Sequence, residues 1–507
     1  MKKHIVLSLL LAAAASGSRA QTEVRTEAQA TIGDGPHTPL WLQANKYGLS
    51  SLDDNGYLRA GIFKTAKVTD DSDWRWGYAA DLAVATGFTS TLVVQQAYGE
   101  VGWKKGLLTI GSKEQPAMLK NQELSSGAQT LGVNARPVPG IRIELPDYWR
   151  VPGTNGWLSL KGHISYGMAT DDRWQKDFTH QENRYAEHTK LHTKAGYLKI
   201  GKEEKPVSVE LGLEMACQYG GTAYTKSLTT TMNRLENTDG LKGALRAFVP
   251  GGNETTDEDY HNADGNHLGS MLVRVNMEQA TWGLSVYADH FFEDQSQMFL
   301  LDYDGYGKGA DWDKHEKKRM MLYDLRDMLV GMELRLKSCP WLTAVVAEYL
   351  YTKYQSGPVY HDHTRQLSDH IGGVDDYYNH NVFTGWQHWG QVMGNPLYRS
   401  PLYNDNNEVM VGDNRFWAWH IAASGDPLPG LHYRLMCSWQ RGFGTYKIPF
   451  NDPKRNISLL AEAAYSFGPS TALAGWSVKC GVGLDKGSRL GNNFGAQFTV
   501  GKRLFIK

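Results

Sequence analysis

The stretch Leu431-His-Tyr-Arg-Leu-Met-Cys-Ser-Trp-Gln440 alternates between two kinds of side chain. Its odd positions carry leucine, tyrosine, cysteine and tryptophan, whereas its even positions carry histidine, arginine, methionine, serine and glutamine. Successive side chains of a β-strand point to opposite faces, so this stretch predicts a strand with one oily and one wet face. Soluble sheets show the same alternation. The fold class therefore depends on how often the pattern recurs and on how the chain begins.

The chain begins like a secretory signal peptide. The charged start Met1-Lys-Lys-His4 precedes an apolar run over residues 5–16, and Ser18-Arg-Ala20 supplies a small-x-Ala cleavage pattern. The apolar run is shorter than the roughly 20 residues that a membrane-spanning helix needs. We therefore predict that residues 1–20 are a signal peptide and that the mature chain starts at Gln21.

The alternation recurs along the whole mature chain, for example in residues 74–85, 207–219 and 282–290. Many of these segments match the roughly 9–11 residues of a tilted membrane span, whereas soluble strands usually have about five or six. Bacterial barrels have even strand numbers, so the candidates predict about 18 strands. The predicted fold class is all-β: a transmembrane antiparallel outer-membrane β-barrel. A soluble β-sandwich is the alternative.

Aromatic and charged residues support the barrel. The wet face carries both signs of charge, for example at Lys161, Glu348 and Arg434, which predicts internal ion pairs or contacts to a plug rather than an open pore. Aromatic residues stand at strand ends, where the interfacial girdles of membrane proteins lie. The aromatic residues concerned are Trp74, Trp103, Tyr219, Trp282, Trp341, Tyr351, Trp439 and Trp476.

Residues 21–507 are predicted to form a single barrel domain, because no linker or internal repeat divides them. Four segments without a period of two are predicted to be inserted plug or loop segments, and the first of them allows either a short helix or an inserted loop. These segments are residues 113–139, 220–266, 293–320 and 353–411, with approximate boundaries.

The positions of the cysteines within their strands bear on disulfide formation, and the net charge bears on nucleic-acid binding. Cys217, Cys437 and Cys480 are in phase with the apolar face of their strands, so we predict free thiols rather than disulfides. The formal net charge of −1 gives no reason to expect a nucleic-acid partner.

The sequence carries no nucleophile elbow, phosphate loop, His-Glu-x-x-His or Cys-x-x-Cys motif. The spacing of His361, His363, His370, His380 and His388 fits no metal pattern, so these residues are predicted to be exposed loop histidines. We predict that the chain is not an enzyme and has no catalytic residues, cofactor or metal site.

The segment from Asp376 to Ser400 interleaves aromatic rings with amides, histidine and arginine. Rings can stack on the C–H faces of sugars while planar polar groups bind hydroxyls, so the segment predicts a polysaccharide-binding site. The alternative is that these aromatics pack the loop onto itself and close the barrel mouth. The predicted binding residues are Tyr377, Tyr378, Trp386, His388, Trp389 and Arg399.

The chain resembles the capsule assembly protein Wzi family of outer-membrane proteins along nearly the whole mature sequence. The resemblance rests on Pro39-Leu-Trp-Leu-Gln-Ala-Asn-Lys-Tyr-Gly48, on residues 123–139 and on residues 377–396. Its most specific block is Asn134-Ala-Arg-Pro-Val-Pro139. The resemblance implies an eighteen-stranded barrel with a small helical plug at its periplasmic end and long extracellular loops over its outer mouth.

The resemblance also implies a non-enzymatic lectin of the cell outer membrane that attaches capsular or surface polysaccharide to the cell surface. The implied partners are that polysaccharide, outer-membrane lipid and the polysaccharide export machinery. An outer-membrane diffusion channel, or porin, is the first alternative. An outer-membrane hydrolase is the second.

Overall fold

The structure is a computed structural model, and the predicted signal peptide over residues 1–20 lies outside the described residues. The described residues are 22–66, 73–226, 232–249, 265–293, 305–306, 309–311, 314–317, 326–360 and 371–506.

The described residues form a closed antiparallel barrel, which confirms the predicted count of eighteen strands. The first and last strands close the barrel by pairing from Thr22 opposite Ile506 to Asp34 opposite Phe494. The strands are β1 (Thr22–Asp34), β2 (Asn55–Lys64), β3 (Trp74–Thr86), β4 (Leu92–Trp103), β5 (Gly106–Ser112), β6 (Gly140–Arg150), β7 (Leu158–Met168), β8 (Lys190–Ile200), β9 (Val207–Tyr219), β10 (Asn266–Glu278), β11 (Trp282–Glu293), β12 (Met328–Leu336), β13 (Ala344–Tyr351), β14 (Phe416–Leu428), β15 (Leu431–Gly444), β16 (Pro449–Ser466), β17 (Trp476–Gly487) and β18 (Asn493–Ile506).

The oily face of the strands is the outer face of the barrel. In β15, Leu435 and Trp439 point outward and are exposed, whereas Met436 and Gln440 point inward and are buried. Large exposed apolar side chains recur on the outside of most strands. An apolar belt of this size is stable against lipid acyl chains and not against water, so the exterior is a lipid-facing surface. The soluble sandwich alternative is wrong, because the sheet closes on itself.

The two ends of the barrel differ. Short turns such as residues 104–105 and 429–430 lie at the end that carries both chain termini, which we call the terminal end. The opposite end, the loop end, carries the long connections 113–139 and 352–415. In outer-membrane barrels short turns face the periplasm and long loops face outward, so the terminal end corresponds to the periplasmic side.

Three connections from the loop end enter the barrel and fill it. We call them segment A (residues 35–54), segment B (residues 113–139) and segment C (residues 375–415). Segment A contains the short helix α1 (Leu40–Gln43), whose four residues are all buried. The largest apolar cluster lies inside the barrel, where wall residues such as Phe416 join α1 and the tyrosines of segment C. The interior is therefore a packed core.

Segment B is an irregular inserted loop in the structure, without a helix. Its backbone groups are satisfied by the neighbouring segments: Tyr47 N–H donates to Val133 O at 2.7 Å, and Gly132 N–H donates to Met393 O at 3.1 Å. Because these bonds replace those of a helix, the plug differs from the helical bundle that the resemblance implies. It also enters from the loop end.

The predicted irregular segment 220–266 has regular structure in its described part. Short strands at Thr222–Lys226 and Met232–Glu236 join Tyr185–Glu187 in a small sheet. A helix, α3 (Gly240–Phe248), follows, and α2 (Asp172–Thr179) precedes the small sheet. Within the described ranges, no helix is both long and apolar enough to cross a membrane. Most of the predicted segment 293–320 lies outside the described residues.

Candidate functional site

Tyr377 and Tyr378 anchor segment C inside the barrel. The Tyr377 hydroxyl donates to Asp327 Oδ2 at 2.9 Å, and Tyr378 N–H donates to Glu293 Oε1 at 2.6 Å. The Tyr378 hydroxyl donates to the carbonyl oxygen of Gln129 in segment B. Both side chains are fully buried, and burial raises the pKa of both hydroxyls well above the usual value. Both hydroxyls therefore stay protonated and act as hydrogen-bond donors, and they join segment C to the barrel wall and to segment B.

Trp386 and His388 bind segment B further along the chain. The Trp386 indole N–H donates to Thr130 O at 3.0 Å. His388 Nδ1 lies 2.8 Å from the carbonyl oxygen of Arg136, and its Nε2 accepts from Thr170 N–H at 3.1 Å. Burial lowers the pKa of His388, which agrees with a neutral imidazole that has one donor and one acceptor. Both side chains hold the plug together.

Trp389 is half-buried at the loop end, beside Arg136. The Arg136 guanidinium lies 4.4 Å from the centre of the Trp389 ring, within the range of a cation–π interaction. The Trp389 indole N–H donates to Thr170 Oγ1 at 3.2 Å. The Arg136 guanidinium also donates to Ser90 Oγ at 2.8 Å and to Thr89 Oγ1 at 2.9 Å. We call these five residues the rim cluster.

The rim cluster has the chemistry of a sugar-binding surface. It combines an aromatic ring, a guanidinium and three hydroxyl groups, supplied by segments B and C and by two shorter loop-end connections. Burial lowers the pKa of Arg136 to about 10, so its guanidinium remains charged at neutral pH. The partly exposed hydroxyls of Thr89 and Ser90 lie on the turn between β3 and β4.

Arg399 lies in a different environment from the rim cluster. Its Nη1 donates to Asn404 Oδ1 at 2.8 Å, and its Nη2 donates to the carbonyl oxygen of Tyr403. The guanidinium lies 5.7 Å from the Tyr403 ring centre. Burial lowers the pKa of Arg399, and the nearby charge of Arg489 adds to this effect.

The six predicted binding residues therefore fall into two groups. Tyr377, Tyr378, Trp386 and His388 are buried, whereas Trp389 and Arg399 are half-buried. The alternative that these side chains pack the loop onto itself describes the four buried residues in this structure. The binding role of all six residues stays a prediction.

Sequence reasoning missed part of the rim and misjudged one histidine. Arg136 belongs to the block that carries the resemblance, which is a signal that could have found it. The prediction of exposed loop histidines is wrong for His388, because the imidazole is buried between Arg136 and Thr170. His361, His363 and His370 lie outside the described residues. Among the residues described, no cluster of three potential metal ligands occurs.

Charged wall residues hold segment B, as the mixed charges of the wet face predict. Glu348 accepts hydrogen bonds from Ser125 Oγ at 2.7 Å, from Ser126 N–H at 2.7 Å and from the Tyr287 hydroxyl at 2.6 Å. Lys120 forms an ion pair with Asp289 at 3.1 Å, and both side chains are only 1% exposed. The bonds from Ser125, Ser126 and Lys120 fix segment B to β11 and β13.

Segment A contributes a half-buried lysine, Lys46. Lys46 Nζ donates to Gln497 Oε1 at 2.5 Å. Burial lowers the pKa of Lys46 to about 7, and the nearby charge of Lys479 lowers it further, while Glu462 opposes the shift. The plug thus contains an amine whose charge changes near neutral pH.

The plug leaves one side of the lumen partly empty among the described residues. A cavity of about 380 Å³ lies between segment B and strands β5 to β8. The wall contributes the Arg142–Glu144 ion pair at 2.7 Å, together with Lys161 and His163. Apolar and charged side chains both line this cavity, which lies inside the barrel.

Comparison with solved structures identifies the fold. Wzi of Escherichia coli, an outer-membrane protein involved in group 1 capsule assembly and a carbohydrate-binding β-barrel, matches with a TM-score of 0.55 and 13% identity over 98% of this chain and 86% of that chain. OccK5 (OpdH) of Pseudomonas aeruginosa matches with a TM-score of 0.46 and 9% identity, over 96% of this chain and 98% of that chain. OprD of the same organism matches with a TM-score of 0.44 and 9% identity, over 96% of both chains. No family model and no curated protein matches the chain. At 13% identity, the likeness to Wzi shows the fold of an outer-membrane barrel.

Proposed function

We propose that this protein is a member of the Wzi family: a non-enzymatic outer-membrane lectin that holds capsular or surface polysaccharide at the cell surface. The observation that carries the proposal is the hydrogen-bonded plug, which fills much of the lumen and presents at the loop end the half-buried Trp389 ring, packed on the buried Arg136 guanidinium. A barrel built for diffusion would leave its lumen open. The predicted signal peptide over residues 1–20 directs export of the chain, which is required before a barrel can insert into the outer membrane.

The half-buried residues and the buried residues have different proposed roles in binding. Trp389 and Arg399 are reachable at the loop end and contact the glycan directly. Tyr377, Tyr378 and Trp386, with His388, act as positioning residues, because their bonds to segment B hold the half-buried groups in place. Each contact is weak, and a repeating polymer gains avidity by engaging several sites on the cell surface.

The test is co-sedimentation of detergent-purified protein with purified capsular polysaccharide from the same source and from an unrelated one. Trp389→Ala should weaken binding about tenfold, the effect of about 1.4 kcal/mol. Trp341→Ala is the matched control, because Trp341 is an exposed tryptophan at the terminal end and should have no effect. Unchanged binding by Trp389→Ala and by Arg399→Ala would contradict the assignment. Shortening of the polymer would indicate a hydrolase instead.

The cavity beside segment B, whose wall includes charged side chains, favours a diffusion channel as the second candidate function. Its wall carries Arg142 and Lys161, which would attract anionic solutes. Single-channel recording in planar bilayers separates the two functions. A plugged lectin should be nearly silent, and stable conductance together with failure to bind either polysaccharide would favour the channel.

A further inference from the structure

Helix α3 (Gly240–Phe248) lies on the outer face of the barrel, outside the lumen. Its small residues Gly243 and Ala247 are buried, which lets the helix lie close to β8 and β9. The hydroxyl of Tyr166 on β7 donates to the carbonyl oxygen of Ala244 at 3.1 Å. Cys217 and Tyr219, which point outward from β9, form an apolar cluster with Ala247. The helix thus covers the outer surface of three strands near the loop end.

Both ends of α3 are fixed to β8 by lysines. Asp239 caps the first turn by accepting from Gly240 N–H at 2.5 Å, and the Asp239 carboxylate pairs with Lys190. At the other end, Lys194 Nζ donates to the carbonyl oxygen of Phe248 and lies 4.7 Å from the Phe248 ring centre. A cation at the carbonyl end of a helix also complements the helix dipole. The orientation of the helix on the barrel is therefore defined.

The opposite face of α3 is an apolar stripe that points away from the barrel. Leu241 and Leu245 lie four residues apart in α3, and Val249 directly follows the helix; the three side chains are 77%, 60% and 63% exposed. Positions four apart share one face of a helix. Lys242 and Arg246 follow the first two leucines and form a parallel basic row beside this stripe. An apolar stripe flanked by basic residues is typical of helices that lie in a membrane interface.

The stripe continues the lipid-facing belt of the barrel. Ile164 and Met168 of β7 and Leu213 of β9 point outward near the helix and are exposed, as lipid-facing residues are. The helix also covers Tyr219, the last residue of β9, where an interfacial aromatic belongs. Because the two anchors Lys190 and Lys194 lie four residues apart on β8, α3 extends from the loop end of the barrel towards this belt.

We propose that α3 is an interfacial helix that binds anionic lipids of the outer leaflet. Leu241, Leu245 and Val249 are immersed at the acyl boundary, and Lys242 and Arg246 contact the headgroup phosphates. The inference rests on the proposed outer-membrane location and adds a lipid-binding surface to it. Continuity with the lipid-facing belt and the basic row argue for lipid as the occupant.

The test uses spin labels on single cysteines in reconstituted protein. Cys339, Cys437 and Cys480 are replaced by alanine, and Cys217 is kept because α3 covers it. One cysteine is then introduced by Leu245→Cys, by Lys242→Cys or, as an aqueous control at a terminal-end turn, by Leu473→Cys. Collisions with oxygen report the acyl region, and collisions with a water-soluble nickel chelate report water.

In phosphatidylglycerol–phosphatidylcholine vesicles, the label at position 245 should favour oxygen, and the label at 242 should favour the nickel chelate. In pure phosphatidylcholine, the label at 245 should move towards water by several-fold in chelate accessibility. Lys242→Gln with Arg246→Gln should abolish this dependence on lipid charge. A label at 245 as accessible to the chelate as that at 473 would overturn the proposal.

Three further outcomes would also overturn it. Equal depth of the label at 245 in both vesicle types would remove the preference for anionic lipid. A label at 245 shielded from both reagents would indicate a protein partner or a second copy. Labelling of Cys217 in the folded protein would show that α3 is not docked. A parallel variant that keeps only the outward-facing Cys437 reports insertion of the barrel, so failure of the outer-membrane proposal is distinguished from failure of this one.

Discussion

Replacing Glu348 by glutamine should loosen the plug while preserving the shape of the wall. The carboxylate accepts from Ser125, Ser126 and Tyr287 at 2.6–2.7 Å, and two of these donors belong to segment B. Hydrogen bonds to a charged group contribute about 1.5–3 kcal/mol, against about 0.5–1.5 kcal/mol for neutral pairs. Glu348→Gln therefore loses about 1 kcal/mol for each bond, so the two bonds to segment B weaken by about 2 kcal/mol together.

A loss of this size should be visible as channel opening. Since each 1.4 kcal/mol is a factor of ten, the population with segment B displaced should rise about thirtyfold. In planar bilayers, the frequency of conducting events should rise by the same factor. Glu144→Gln is the matched control, because Glu144 also faces the lumen but its carboxylate pairs with Arg142 of its own strand. Unchanged conductance of Glu348→Gln, or an equal rise in Glu144→Gln, would refute the reasoning.

Two further perturbations test the plug. Lys46 has a pKa of about 7 in the folded protein and about 10.4 when unfolded, so the unfolded chain binds more protons between these values and the free energy of unfolding should rise with pH from about 7 to 10. Lys46→Met should flatten that rise in urea titrations of reconstituted protein, and an unchanged slope would contradict the shift. A Cβ at Gly394 would overlap the Tyr378 hydroxyl, so Gly394→Ala should destabilise segment C by about 1–3 kcal/mol and accelerate its proteolysis. Gly99→Ala has open space and should behave as wild type.

The strands could be predicted from the sequence because lipid imposes the same requirement along each of them. A strand such as β15 needs apolar residues at every second position, and this local pattern is visible without tertiary contacts. The ends of strands are harder to predict from this pattern. The sequence predicts a strand end at Trp341, whereas the strand in the structure begins at Ala344 and the tryptophan belongs to the preceding turn.

The plug could not be predicted in the same way. Whether Tyr378 contacts a ligand or packs inside depends on Gln129, which lies 249 residues away in sequence. The composition of segment C fits a sugar-binding loop and a packed plug equally well. Composition alone therefore does not distinguish a ligand contact from internal packing. Helix α3 was hidden in a polar segment, although the spacing of Leu241, Leu245 and Val249 is a helical signal that could have identified it.

The shared core of wall and plug has a consequence for the order of assembly. Segment A leaves β1 early in the chain, yet Gln43 binds Tyr403, 360 residues later, and Leu40 binds Asp485, 445 residues later. Contacts of such separation form slowly, because long loops must close first. The seam between β1 and β18 also joins opposite ends of the chain. The barrel can therefore be sealed and its lumen filled only once the last third of the chain is present.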